Sequence, residues 1–178
     1  VERLTGQTLP VFMEERIFRP LKMKDTAFWA PAEKLPRLAA LYDGDPVTGK
    51  LIPANEGPWR DVSRPPAAPS GGGGLLSTAG DFARFAQMIL NGGELDGVRI
   101  LQPESVALMR SNHLPPSFQV TTNGTTGVLR PDQKPFPFSA GMGYGLDVAV
   151  AVDPHLSGAP VGPGTALPLG CTVSHRPG

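Results

Sequence analysis

Proline sets the tightest limit on this chain. Across residues 30–70 it recurs so often, beside the Asp43-Gly44 and Thr48-Gly49 pairs, that no long helix or central strand fits. That stretch is expected to be a turn-rich excursion with, at most, a short hairpin around Gly44 to Gly49. Over the whole 178 residues, 22 glycines and 21 prolines make up about a quarter of the chain, so a few regular elements should sit in much irregular backbone.

Those regular elements announce themselves by period. From Thr8 to Phe18 the pattern is helical, with Thr8 as cap, Pro10 in the first turn, Leu9, Phe12, Met13 and Ile17 on one face, and Pro20 as the stop. A second helix begins at Thr78, which with Asp81 resembles a capping box. Phe82, Phe85, Met88 and Ile89 form its apolar face, and Asn91-Gly92-Gly93 ends it. A third runs from Pro103 to about Arg110, with Glu104 near its positive end and Val106 and Met109 facing inward. Residues 112–139 are polar, proline-dotted and aperiodic, and are read as loop. From Gly143 to Val152, Tyr144, Leu146, Val148, Val150 and Val152 alternate with smaller or polar residues, the pattern of one half-buried strand. Beyond Asp153-Pro154 no element is recognisable.

Several chemistries are excluded or unsupported by the residues. Sixteen basic and sixteen acidic residues cancel without forming blocks, so the chain lacks the basic footprint of a nucleic-acid binder. No apolar run approaches membrane-spanning length. Cys171 has no second cysteine to pair with, and neither it nor His113, His155 and His175 stand at metal-ligand spacings, so surface roles are expected for all of them. No cofactor is implied, and nothing identifies a compartment. No serine has a base at S-x-x-K or G-x-S-x-G spacing, and neither Tyr42 nor Tyr144 is followed two residues on by asparagine. No catalytic residue is therefore assigned.

Two features admit a binding role. Ser70 followed by Gly71, Gly72, Gly73 and Gly74 lacks the lysine that completes a phosphate loop, but four glycines permit close approach of a ligand or of another strand. It is equally readable as a turn before the Thr78 helix. Trp29 and Trp59 sit in proline-rich loop, where a large apolar ring either pins the loop to the core or lines a cleft, pinning being the commoner use.

Three stretches, in this order, resemble the serine β-lactamase/esterase superfamily, which includes class C β-lactamases, family VIII esterases, D-aminopeptidases and penicillin-binding-protein relatives. They are Val1–Gly6 with Ile17–Phe28, where Lys22 stands at a position usually glycine; Gly72–Thr78 with Asp81, Phe82 and Phe85; and Gly92-Gly93 through Ile100-Leu101 to Glu104–Met109. The resemblance covers residues 1 to about 165. It implies an α/β fold of the β-lactamase/penicillin-binding class, an antiparallel sheet flanked by helices, incomplete here. Val1–Gly6 reads as the end of a helix, so the chain is expected to be the C-terminal part of such a domain.

In that family the nucleophile is the serine of S-x-x-K, assisted by its lysine and by the tyrosine of Y-x-N. Both motifs lie before the segment that Val1 begins. Intact relatives form and hydrolyse an acyl-enzyme without a metal, so a small-molecule ester or amide is the implied substrate, esters being favoured over β-lactams and D-amino-acid peptides. This chain alone is expected to be inactive. A non-catalytic binding or regulatory remnant is the alternative. By analogy, Ser70 to Gly74 would lie at the cleft rim as substrate-binding residues, and residues 30–70 would form a variable cap. The third family motif finds no match in Gly164–Cys171, which marks 166–178 as a divergent tail. An isolated chain of this kind should expose the Phe82 helix face and an unpaired strand edge, so self-association is also expected.

Overall fold

The computed structural model describes residues 1–40, 42–45, 47–53, 61–115, 119–120, 126–127, 141–146, 148–153, 155 and 166–168. Trp59, Cys171 and His175 lie outside the described residues. Those from Val1 to Ile100 form one unit and those from Leu101 onward a second.

The first unit opens with the one-turn helix α1 (Glu2–Thr5), which Gly6 terminates in the left-handed conformation, φ 69°. Helix α2 (Leu9–Met13) carries proline in its first turn, where the missing N–H costs nothing. Thr8 holds the cap position, but its hydroxyl makes no capping bond. The predicted helix to Phe18 then widens into a π-turn over Glu14–Phe18, with the Arg19 amide reaching back five residues to the Glu14 carbonyl at 2.9 Å. One extra residue per turn shifts the facing side chains. Phe18, 4% exposed, rather than Ile17, enters the core.

After Pro20 the chain passes through Lys22, whose φ of 56° is left-handed. A Cβ is strained there, which gives the physical reason for glycine at this position in the resembling family. Leu21, fully buried, and Met23, Phe28 and Ala30 join Phe18 and Met88 as the core of this unit. Burying a side chain of the size of Leu21 or Met88 contributes about 1.5–3 kcal/mol. Residues Leu35–Arg37 make a 3-10 turn. Strands β1 (Tyr42–Gly44) and β2 (Leu51–Pro53) pair antiparallel, which is the expected short hairpin. Asp45 organises its turn by accepting from the Val47 amide at 2.8 Å and the Thr48 hydroxyl at 2.5 Å.

Helix α3 (Ala79–Leu90) is the longest element described. Thr78 accepts from the Asp81 amide at 3.2 Å, as a cap should. The reciprocal half of the capping box is absent because Asp81 spends its carboxylate elsewhere, on residues 25 and 26. On the predicted apolar face Met88 is fully buried, Phe85 and Ile89 are half-buried, and Phe82 is 38% exposed, its ring 6.5 Å from that of Phe85. At the C-terminus the Gly93 amide returns to the Met88 carbonyl at 2.9 Å, the six-to-one bond of a Schellman stop. Strands β3 (Glu94–Leu95) and β4 (Val98–Arg99) then close around Asp96-Gly97, both with positive φ. This two-residue hairpin is signalled by the Asp-Gly pair itself. Asp96 binds Arg84 of α3 and, at 3.4 Å, Lys22.

In the second unit, α4 (Pro103–Met109) matches the expected helix, with Val106 buried and Met109 half-buried. Strands β5 (Gln119–Val120) and β6 (Thr126–Gly127) pair within the stretch read as loop. Two residues each are too few to show a period. The single strand expected from Gly143 to Val152 is instead a hairpin. Strands β7 (Met142–Tyr144) and β8 (Val148–Ala151) pair antiparallel, and the Gly145 amide bonds the Val148 carbonyl across the turn at 2.8 Å. Alternation misled here, since Ala149, Val150 and Ala151 are buried in succession while Leu146 and Val152 are about half exposed. A third strand, β9 (Ala166–Pro168), pairs with β8 where no element was recognisable. Its proline is tolerable because β9 ends the β7-β8-β9 order.

The β7–β8 turn seats directly on the end of α4. The Leu146 amide donates to the Met109 carbonyl at 3.2 Å, and a Cβ built at Gly145 would lie 1.9 Å from that same oxygen. A Cβ at Gly143 would lie 2.3 Å from the Asn112 side chain, whose Oδ1 accepts from the Tyr144 amide at 3.0 Å. Gly145→Ala should therefore cost at least about 2 kcal/mol, read as a lowered urea midpoint. An unchanged midpoint would show that the backbone yields instead. Lys22→Gly tests the strain at the other turn. It should leave stability level or raise it by up to about 1 kcal/mol, because the exposed pair it removes is worth little, whereas Lys22→Val should lower it.

Candidate functional site

The polar centre of the first unit is built by backbone pairing between two distant segments. Ala27 and Leu76 form an antiparallel bridge, their amides and carbonyls exchanging bonds of 3.1 and 2.8 Å. One residue before the bridge, the buried Thr26 hydroxyl lies 2.8 Å from Ser77 Oγ and donates to Asp81 Oδ2 at 2.9 Å. The Asp25 amide donates to the same Asp81 oxygen at 2.7 Å. Asp81, 9% exposed, thus spans the start of α3 and residues 25–26.

A cavity of about 100 Å³ opens beside this bridge. Leu76, Ser77 and Thr78 form one wall, and Ala27, Trp29, Ala30 and Pro31 another. The remaining rim comes from Asp25, Lys34, Arg37 and Leu38. Lys34 and Arg37 bracket the 3-10 turn, and at three residues per turn their side chains stack on one side. Both reach Asp25, with Lys34 Nζ 2.9 Å from Oδ1 and Arg37 Nη2 2.9 Å from Oδ2. Lys34 Nζ also donates to the Lys24 carbonyl at 2.6 Å. The hydrogen bonds from Arg37 and then Lys34 hold the Asp25 carboxyl down to about 2, so it stays ionised well into acid.

Trp29 takes the less common of its two expected roles. It lines this cavity and remains 36% exposed. The Ser70–Gly74 run is largely exposed and leads into the Leu76–Thr78 wall. Ser70 Oγ accepts from the Gly72 amide at 3.2 Å, and Gly74 has φ 88°, a left-handed value that calls for glycine. A Cβ at Gly71 or Gly73 would meet open space. His113 and His155 are exposed, the former with Nε2 2.8 Å from the Leu108 carbonyl. Among the described residues, no three His, Cys, Asp or Glu side chains converge to hold a metal, and no helix is long and apolar enough to cross a membrane.

The Asp25, Lys34 and Arg37 cluster escaped sequence reasoning. Their spacing of nine and three residues matches no motif, and only the 3-10 turn brings the three together. The one available signal was the lysine and arginine three apart around Leu35-Pro36, where a tight helical turn is compatible with proline.

Comparison with known proteins places this architecture. The Beta-lactamase family matches residues 1–168. An uncharacterized protein of Mycobacterium tuberculosis is 37% identical over 164 residues, covering 92% of this chain and 38% of its own. Esterase EstB of Burkholderia gladioli is 30% identical over 179 residues, 93% of this chain and 39% of its own. Among solved structures, that titled EstCE1, a hydrolase with promiscuous acyltransferase activity, superposes with a TM-score of 0.66 at 24% identity, covering 92% of this chain and 40% of that one. The chain thus spans about two fifths of the length of these relatives, and with its helices, its small antiparallel sheets and this match it is a member of the Beta-lactamase family.

Proposed function

We propose that the chain is part of a serine hydrolase that cleaves small-molecule esters, or amides, through an acyl-enzyme. The observation that carries this reading is the family match over residues 1–168, joined to 30% identity with an esterase over nearly the whole chain. The chain has no S-x-x-K and no Y-x-N, so no serine in it has a lysine or tyrosine at the spacing that would raise its nucleophilicity. Alone it is inactive. The nucleophile and its proton-handling partners belong to polypeptide outside these residues, and this part contributes surroundings.

Within those surroundings, Ser70, Gly71, Gly72, Gly73 and Gly74 are read as a rim of the substrate cleft. Their support is conformational. The run is exposed, and a positive φ at Gly74 lets the backbone turn into the Leu76–Thr78 wall. Residues 30–70 are read as a cap that influences which acyl group is accepted, consistent with their short hairpin and tight turns. The half-exposed Phe82–Phe85 face of α3 supports association of the isolated chain, with itself or with the missing part of the domain.

The test is hydrolysis of p-nitrophenyl butyrate and of nitrocefin by the purified chain, with a fluorophosphonate probe for activated serines. Neither substrate should turn over above the buffer rate, and no serine should be labelled. Labelling of a single serine, with turnover lost when it is changed to alanine, would overturn the assignment of inactivity. It would also relocate the nucleophile to this chain.

A further inference from the structure

The cavity beside Trp29 has the chemistry of a small anion site. We propose that it binds an organic monocarboxylate with a flat or short apolar body, of the size of benzoate, its carboxylate on Arg37 and Lys34 and its body against Trp29.

The charge inventory is the first support. Two cations and one carboxylate meet at the rim, where Lys34 and Arg37 both pair with Asp25, while Asp81, whose charge also reaches Arg37, turns its carboxylate onto the Asp25 amide and the Thr26 hydroxyl. Arg37 is the accessible partner. Its side chain is 60% exposed and one of its five N–H groups goes to Asp25, which leaves donors in the planar fork that suits a second carboxylate. Lys34 is anchored by the Lys24 carbonyl and Asp25, so its ammonium is held in place before any ligand arrives. Preorganisation of this kind lowers the entropy cost of binding. The low proton affinity of Asp25 reports how strongly these two cations favour a carboxylate beside them.

Shape and lining narrow the class further. Ala27, Ala30, Pro31, Leu38 and Leu76 supply apolar surface on which the Trp29 ring offers a flat face. A volume of about 100 Å³ is below the roughly 150 Å³ of an apolar cavity that admits benzene, so a ring is held only in part, against Trp29, with the charged end at the open rim. Nucleotides and peptides are too large. A cation would face the Lys34 and Arg37 heads at the rim, and a neutral ring would lack the charge-assisted bond to the guanidinium.

Binding rather than turnover tests the proposal, so its outcome is independent of the hydrolase reading. The purified chain is titrated with benzoate and with its neutral isostere benzamide while the Trp29 indole N–H cross-peak is followed by NMR, assigned with Trp59→Phe. Benzoate should shift that peak saturably in the millimolar range, and benzamide should bind at least about tenfold more weakly. Arg37→Gln, and separately Lys34→Gln, should each weaken benzoate by about tenfold, as expected for loss of a charge-assisted bond. Both residues are substantially exposed, so the fold should tolerate either change. Absence of saturation into the tens of millimolar would overturn the proposal. So would equal affinity for benzamide, or full benzoate affinity in both variants.

Discussion

The first unit depends on one buried carboxylate. Asp81 sits in the first turn of α3, where its backbone amide is already committed to the Thr78 hydroxyl. Its side chain turns away from the helix to accept from the Asp25 amide and the Thr26 hydroxyl. An ionised oxygen accepting two such bonds in a nearly buried setting is worth more than a pair of surface contacts, because removing it would strand two donors away from water. The helix N-terminus adds a favourable field for the negative charge. Together with the Thr26–Ser77 contact, this group ties α3 to the chain some fifty residues earlier, beside the Ala27–Leu76 bridge.

The cavity inherits its geometry from the same contacts. Its two main walls are the segments that the bridge joins, and its polar rim begins at Asp25, the residue whose amide Asp81 holds. The 3-10 turn then returns Lys34 and Arg37 to Asp25. A charge cluster assembled this way is cheap to maintain, since all three side chains keep access to water and none bears a full desolvation cost. It is correspondingly open to a competing anion.

Close approach of backbone governs the second unit in a different manner. At Gly143 and Gly145 the β7–β8 hairpin comes within van der Waals distance of Asn112 and of the Met109 carbonyl, so hydrogen atoms occupy the places where side chains would be. Lys22 shows the opposite case in the first unit. There a side chain is carried through a left-handed turn at some strain, and its ammonium finds Asp96 on the neighbouring hairpin.

By itself the sequence determined what local physics controls. Thr78, the apolar spacing through Met88 and the Asn91-Gly92-Gly93 stop marked α3, because capping, period and glycine termination act over a few residues. Pro103 and Val106 marked α4 in the same way, and the ordered words from Val1 to Met109 marked the family. Tertiary structure decided the rest. It turned the alternating Gly143–Val152 run into a hairpin, since a turn at Gly145 docks on Met109 and period alone does not register that docking. It diverted Asp81 from its capping box to Asp25 and Thr26, added β9 through pairing with β8, and gathered Asp25, Lys34 and Arg37 at one rim. Each of these depends on partners that are remote in the chain or on a backbone trajectory between them, and pairwise spacing carries no record of either.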